Sequence, residues 1–273
     1  MFWVYAILVV GGIFCLVWIW RFIRDGNFVI KCFKQANCIV TGHKGRGKDL
    51  LFMYVIHRRG QRHYSNIRYN EFTDVLEPRE FNIDPNTYKD FLNGTVQPIQ
   101  KHLKEGQDYY LSDGGIFMPS TYQDQLVKLY PSLPLTYAIQ RHLYNSNFHC
   151  NVQNLQRLWD KIREQADYYF TCVQTIRIGK RTFIQKLRYY ENYEAAKANV
   201  LPFQVNRFLF LFPDKDQLAR EHEFRAQNGE VKYLYILNHL PKEHYDTRHF
   251  HKVLFNKPAP TETKNKKRRT RVK

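Results

Sequence analysis

A mostly parallel α/β sheet behind one apolar N-terminal helix is the fold the sequence predicts, and three observations predict it. From residue 36 onward, short apolar runs alternate with helix-like stretches, the pattern of strand–helix–strand units. Near the end of that pattern, Tyr168–Gln174 and Phe183–Tyr190 flank Ile178-Gly179-Lys180-Arg181, a hairpin signal that adds an antiparallel extension to one edge. Ahead of both, residues 1–20 carry no charge.

Twenty residues at helical rise span about 30 Å, the thickness of a bilayer hydrocarbon core. Trp3, Trp18 and Trp20 lie near the ends of the run, where interfacial aromatic belts sit. No base precedes it, whereas Arg21, Arg24, Lys31 and Lys34 follow. A secretory signal has the reverse order of charge. The expectation is a single-pass transmembrane helix at 1–22, N-terminus outside, followed by a basic juxtamembrane linker at 23–35. All that follows would be cytoplasmic.

The core is expected at 36–195. Residues 36–41 read as a strand, 42–48 as a glycine-rich loop and 49–59 as a helix. Further strands are expected at 63–67, 109–113 and 148–152. Leu155–Gln165 reads as an amphipathic helix. Residues 70–105 read as loops and short helices, and 121–145 as helix interrupted by Pro131 and Pro134. An extension at 196–256 contains a strand near 231–237, and 257–273 is a basic disordered tail.

The chain has 42 Lys and Arg against 25 Asp and Glu, a net charge of +17. Eight of the bases, with one Glu, lie in 257–273, which leaves about +10 for the rest by subtraction. This excess favours an anionic partner, nucleic acid or membrane surface. The five cysteines include no CxxC pair and read as buried thiols in a reducing compartment, not as zinc ligands or disulfides. His244, His249 and His251 lack a further acid or cysteine at ligand spacing.

The chemistry concentrates in Gly42-His43-Lys44-Gly45-Arg46-Gly47-Lys48-Asp49. This is G-x-x-x-x-G-K, with Asp where Ser or Thr is usual. Glycines let backbone N–H groups wrap phosphates, the next helix presents its positive end, and Lys48 reaches the β/γ oxygens. The loop follows an expected strand and opens an expected helix, the context that a P-loop needs. ATP with Mg²⁺ is the expected ligand, held by Gly42 to Asp49.

Asp49 can hold Mg²⁺ as a carboxylate while adding negative charge beside the phosphates. Asp113, at the end of an apolar strand, is the second expected magnesium group, in the position of a Walker B aspartate. The next residue in many P-loop motors is a water-polarising glutamate; here it is Gly114. Gln153, after the fourth strand, is the candidate γ-phosphate sensor. Arg163, on the following helix, is the candidate arginine finger acting in trans in a homo-oligomer.

With these residues in order, the chain resembles the zonula occludens toxin-like (Zot) family, filamentous-phage assembly ATPases of the FtsK/HerA-type P-loop branch. The resemblance rests on Gly42–Lys48, Tyr64-Ser65-Asn66-Ile67, Asp113 with Phe117-Met118-Pro119, Arg141-His142, Gln153, Ile162-Arg163 and Ala166-Asp167-Tyr168. It covers residues 36–190. It implies an ATPase of the bacterial host inner membrane that drives phage assembly and export of phage DNA or virions with other phage assembly proteins. Two other readings stay open: a DNA-packaging or conjugation-type translocase bound to phage DNA or nucleoprotein, and a non-hydrolysing membrane scaffold.

Overall fold

The computed structural model describes residues 2–76, 104–122, 145–198 and 232–239. The helix expected at 121–145, Arg141-His142, most of the extension and the basic tail lie outside these.

Helix α1 runs over Phe2–Gln35 without a break. Its first half exposes Leu8, Val9, Val10, Ile13, Leu16 and Val17, and its last third buries Val29, Cys32 and Phe33. Among the described residues no helix is long and apolar enough to cross a membrane. Neither the separate span at 1–22 nor the linker at 23–35 appears as its own element, because one helix carries both. The charges do not interrupt it: Asp25 accepts from Arg24 at 2.8 Å and lies 3.7 Å from Arg21 one turn earlier. Asp25 is 1% exposed and also accepts the Tyr235 backbone N–H at 2.9 Å.

The remaining elements are β1 (Cys38–Thr41), α2 (Lys48–Arg59), β2 (His63–Ser65), β3 (Thr73–Val75) and β4 (Tyr109–Leu111). They continue with α3 (Gly114–Phe117), β5 (Phe148–Val152), α4 (Asp160–Arg163), β6 (Tyr168–Arg177), β7 (Thr182–Tyr190), α5 (Tyr193–Ala198) and β8 (Lys232–His239). The strands form one mixed eight-stranded sheet in the order β3-β2-β4-β5-β1-β6-β7-β8. Every pairing from β3 to β6 is parallel, and β6-β7-β8 are antiparallel. Parallel neighbours are usually joined by helical crossovers, which cover the sheet and bury its strands, although β2 and β3 are joined here by residues 66–72 without a helix. Accordingly β1, β2, β4 and β5 are buried at every position.

Alternation along β1 divides the core. Cys38 and Val40 face α1 and α2 in a cluster with Phe33, Phe52, Tyr110 and Phe170. Ile39 faces Tyr109, Phe148, Trp159 and Tyr169 on the opposite side. The Phe33 ring lies 5.4 Å from Phe170 and 6.2 Å from Phe52, the geometry of attractive aromatic pairs.

Three elements differ from expectation. β3 lies in a stretch read as loops, because Thr73-Asp74-Val75 is too short to show a period. β4 stops at Leu111, and Ser112 and Asp113 turn away from the sheet. The amphipathic helix expected at 155–165 is broken into a 3₁₀ turn, Leu155–Arg157, and the single turn of α4. Leu158 bridges Pro119 and the Trp159 N–H donates to Met118 O at 2.8 Å. Those contacts hold Leu158 and Trp159 extended, with ψ of 144° and 131°. Of the five cysteines, four are buried free thiols and Cys15 is exposed on α1.

Candidate nucleotide-binding site

The glycine-rich loop leaves the C-terminal end of β1, flanked by β5 and β6, and enters α2 at Gly47. Ligands of open α/β sheets bind outside such strand ends. Gly42, Gly45 and Gly47 all have positive φ, so the three glycines bend the chain where side-chain-bearing residues resist.

Two side chains of the hairpin clamp the loop from one side. Thr175 Oγ1 donates to Arg46 O and Gln185 Nε2 donates to Gly47 O, both at 2.8 Å. A Cβ at Gly47 would sit 2.7 Å from that same Gln185 nitrogen, at a φ of +85°. Gly47→Ala therefore meets a steric and a backbone penalty together, and should lower unfolding stability by about 1–2 kcal/mol. Urea titration would register this as a lower midpoint.

Lys48 is 7% exposed and folds back on the loop, donating to Gly42 O at 3.0 Å and lying 3.5 Å from His43 O. Lys44 and Gly45 are exposed at the loop tip, with His43 and Arg46 half-buried. Asp49 points across to the ends of β4 and β5. Its Oδ1 accepts from Ser112 Oγ and Asn151 Nδ2, each at 2.8 Å, and from Tyr69 Oη at 3.3 Å. Asn66 fixes this corner, accepting the Ser112 N–H at 2.7 Å and donating to Ser112 O at 3.0 Å.

Asp113 follows in the left-handed region, φ 51° and ψ 48°, and its N–H donates to Asn151 Oδ1 at 2.8 Å. Burial, then the nearby Asp49 carboxylate, push its carboxyl above the ordinary range, against the pull of Lys48. The structure thus brings Lys48, Asp49 and Asp113 together.

The other two expected residues are not among these partners. Gln153 is exposed beyond the end of β5. Asn151, fully buried two residues earlier, is the strand-end amide that reaches the site. Arg163 precedes β6, whose first residue pairs with Cys38 at the start of β1. It therefore lies at the opposite end of the sheet from its own loop. Its guanidinium is 5.4 Å from the Tyr193 ring and donates to Gln156 O at 3.5 Å.

No role at the site was expected from the sequence for Asn66, Tyr69, Ser112, Asn151, Thr175 and Gln185. A signal existed for two: Ser112 and Asn151 are buried polar residues at the end of short apolar strands, where each needs a hydrogen-bond partner.

Among the described residues, no three or more His, Cys, Asp or Glu gather as a metal cage. Magnesium needs none, since it keeps waters and phosphate oxygens and takes one or two carboxylates. Asp49 and Asp113 beside Lys48 fit that requirement.

A buried parallel strand, a glycine loop of positive-φ residues and an enclosed lysine at a helix start define a P-loop fold. No family model matches the chain, and no curated protein does. Among solved structures it is similar to the genome packaging NTPase B204 of Sulfolobus turreted icosahedral virus 2 with AMP, at 10% identity and TM-score 0.36, covering 58% of this chain and 93% of that one. It is also similar to the N-terminal domain of zonular occludens toxin from Neisseria meningitidis, at 10% identity and TM-score 0.31, covering 64% and 96%. A third is the flagellar accessory protein FlaH of Methanocaldococcus jannaschii, at 14% identity and TM-score 0.28, covering 62% and 82%. At such values the fold and site stand on this chain's own residues.

Proposed function

We propose that the protein is a membrane-anchored P-loop ATPase that drives phage assembly and the export of phage DNA or virions. The observation that supports it is the loop Gly42–Asp49, positioned between β1 and α2 with Lys48 and two carboxylates converging on it. In this reading the loop N–H groups and the start of α2 bind the ATP phosphates. Lys48 exchanges its loop carbonyls for phosphate oxygens. Bound Mg²⁺ would supply charge neutralisation at the β- and γ-phosphates, with the Asp49 carboxylate as the loop's ligand to it. In a homo-oligomer, Arg163 would serve a neighbour's site.

The exposed apolar half of α1 supports an anchor at residues 1–22, and the bases Arg21, Arg24, Lys31 and Lys34 after it support an N-terminus outside the host inner membrane. The basic excess favours a second reading, a packaging or conjugation-type DNA translocase, through phosphate contacts. A membrane scaffold would bind ATP without turnover.

Hydrolysis by the detergent-solubilised protein, with and without DNA, separates these. DNA-independent turnover is expected of an assembly ATPase, DNA-stimulated turnover of a translocase, and none of a scaffold. Full-length chain recovered in the soluble fraction, or a C-terminal reporter active only in the periplasm, would refute the anchor or its orientation.

A further inference from the structure

We infer that the hydroxyl and the acid of the magnesium pair have exchanged strands: Asp49 supplies the carboxylate from the loop, Ser112 supplies the hydroxyl from β4, and Asp113 is the base that takes the proton of the attacking water. This rests on the nucleotide-binding reading above, and it puts Ser112 in the place that the sequence reading gave Asp113 in the magnesium pair.

In a P-loop, the residue after the lysine contributes a hydroxyl to Mg²⁺ and faces an aspartate at the end of the neighbouring acidic strand. Here the residue after Lys48 is Asp49, and the side chain that meets it is not Asp113. It is Ser112, the first residue past β4, 1% exposed and bonded to Asp49 Oδ1 at 2.8 Å. The same two functional groups face each other with their positions reversed. Ser112, not Asp113, is therefore the structural equivalent of the strand-end aspartate.

That shifts the register by one residue. The position immediately after the strand-end residue, where motors carry the water-polarising acid, is Asp113. Its left-handed backbone turns it out of the strand direction, and it is only half-buried. Asn151 couples the pair, donating to Asp49 Oδ1 and accepting the Asp113 N–H, both at 2.8 Å. Gly114 cannot be the site of a lost acid. A Cβ there would overlap Cys150 Sγ and sit 3.2 Å from Leu158 Cδ1.

In the step assigned to Asp113, the water oxygen bonds to the γ-phosphorus while the bond from that phosphorus to the β–γ bridging oxygen breaks. The bridging electron pair leaves with ADP, and the water proton passes to the Asp113 carboxylate. The magnesium pair takes no proton.

Three measurements on the full-length protein in detergent test this: ATP affinity with Mg²⁺ and with EDTA, Mn²⁺ binding in the presence of ATP by electron paramagnetic resonance, and single-turnover hydrolysis. Asp113→Asn should keep ATP affinity and the Mn²⁺ signal within about twofold and lose hydrolysis by about 10²- to 10⁴-fold, the usual worth of a general base. Asp49→Ser should lose the Mn²⁺ signal, and adding Ser112→Asp to it should restore that signal. Loss of Mn²⁺ binding in Asp113→Asn would overturn the exchange. So would a folded Asp49→Ser/Ser112→Asp protein with no recovery. A wild type that binds Mg²⁺ and ATP but never turns over would overturn the role of Asp113 alone. A wild type that binds no ATP would remove the nucleotide reading itself, and the exchange with it.

Discussion

Asp108→Ala should destabilise the protein by about 3–5 kcal/mol, the cost of leaving a buried charge without its partner. Asp108 lies just before β4 and is 4% exposed. It pairs with Arg59 Nη1 from the last turn of α2, and its Oδ1 accepts the Asn147 N–H at 2.8 Å. Removing the carboxylate leaves the largely buried Arg59 guanidinium without its charge partner, held only by neutral acceptors: Phe33 O at 3.2 Å, Gln61 Oε1 at 3.2 Å and Tyr110 Oη at 3.4 Å. Replacing both partners by apolar residues, Arg59→Met with Asp108→Leu, should recover most of the loss, because no buried charge remains. Urea midpoints of the two variants and wild type decide it, and a single variant as stable as wild type would refute the coupling.

The same cluster sets a pH dependence. Burial would raise the Asp108 carboxyl, but His149 and Arg59 outweigh it and hold it below its ordinary value. Its contribution is present above the unfolded value of about 3.9 and is lost as pH falls through the lower folded one. Burial, against the pull of Asp108, holds the His149 ring below its ordinary pKa, with the ring tilted at 4.8 Å from Phe33 and 4.7 Å from Tyr110. Protonation then favours the unfolded chain once pH drops below about 6.5. Both shifts act in one direction, so stability should fall in two stages on acidification, beginning below about pH 6.5. A urea midpoint that is flat down to about pH 5 would exclude the histidine stage.

Lys48→Ala should weaken ATP binding by roughly 10- to 150-fold, from the loss of a charge-assisted contact of about 1.5–3 kcal/mol. Among the described residues Lys48 makes no ion pair within 4 Å and instead holds the carbonyls of Gly42 and His43. Truncation therefore also loosens the loop, and the affinity for ADP should fall as well, though less. Isothermal titration with ATP and ADP reads both. Equal ATP affinity in Lys48→Ala and wild type would end the nucleotide reading.

Most of the parallel core, the helix after the phosphate loop and the antiparallel edge were legible in residue order, because strand length, turn residues and helical spacing are local properties. So was the phosphate loop, whose three glycines and lysine are adjacent in the chain. What surrounds the loop was not. Asn151 reaches it only because β5 lies beside β1, and Gln185 only because β7 folds back along β6. Sheet order decides such neighbours, and no spacing in the sequence encodes them. Asn151 and Gln153 sit at the same strand end, and it is the buried Asn151 that bonds to Asp49. The helix at 155–165 failed for another reason: apolar spacing suited a helix, but the bridge between Leu158 and Pro119 won locally.

The uninterrupted course of α1 has a geometric consequence. Asp25, Arg21 and Trp18 are fastened to Tyr235, with the arginine 4.2 Å from its ring and the tryptophan 5.3 Å, and the helix continues beyond them without a swivel. Its outer half is thus a rigid shaft whose rotational phase is locked to the sheet. One residue inserted just before Trp18 would turn everything outward of it by about 100° relative to the nucleotide loop, whereas seven would nearly restore the original heading. The domain's orientation toward whatever grips that shaft is written in residue count.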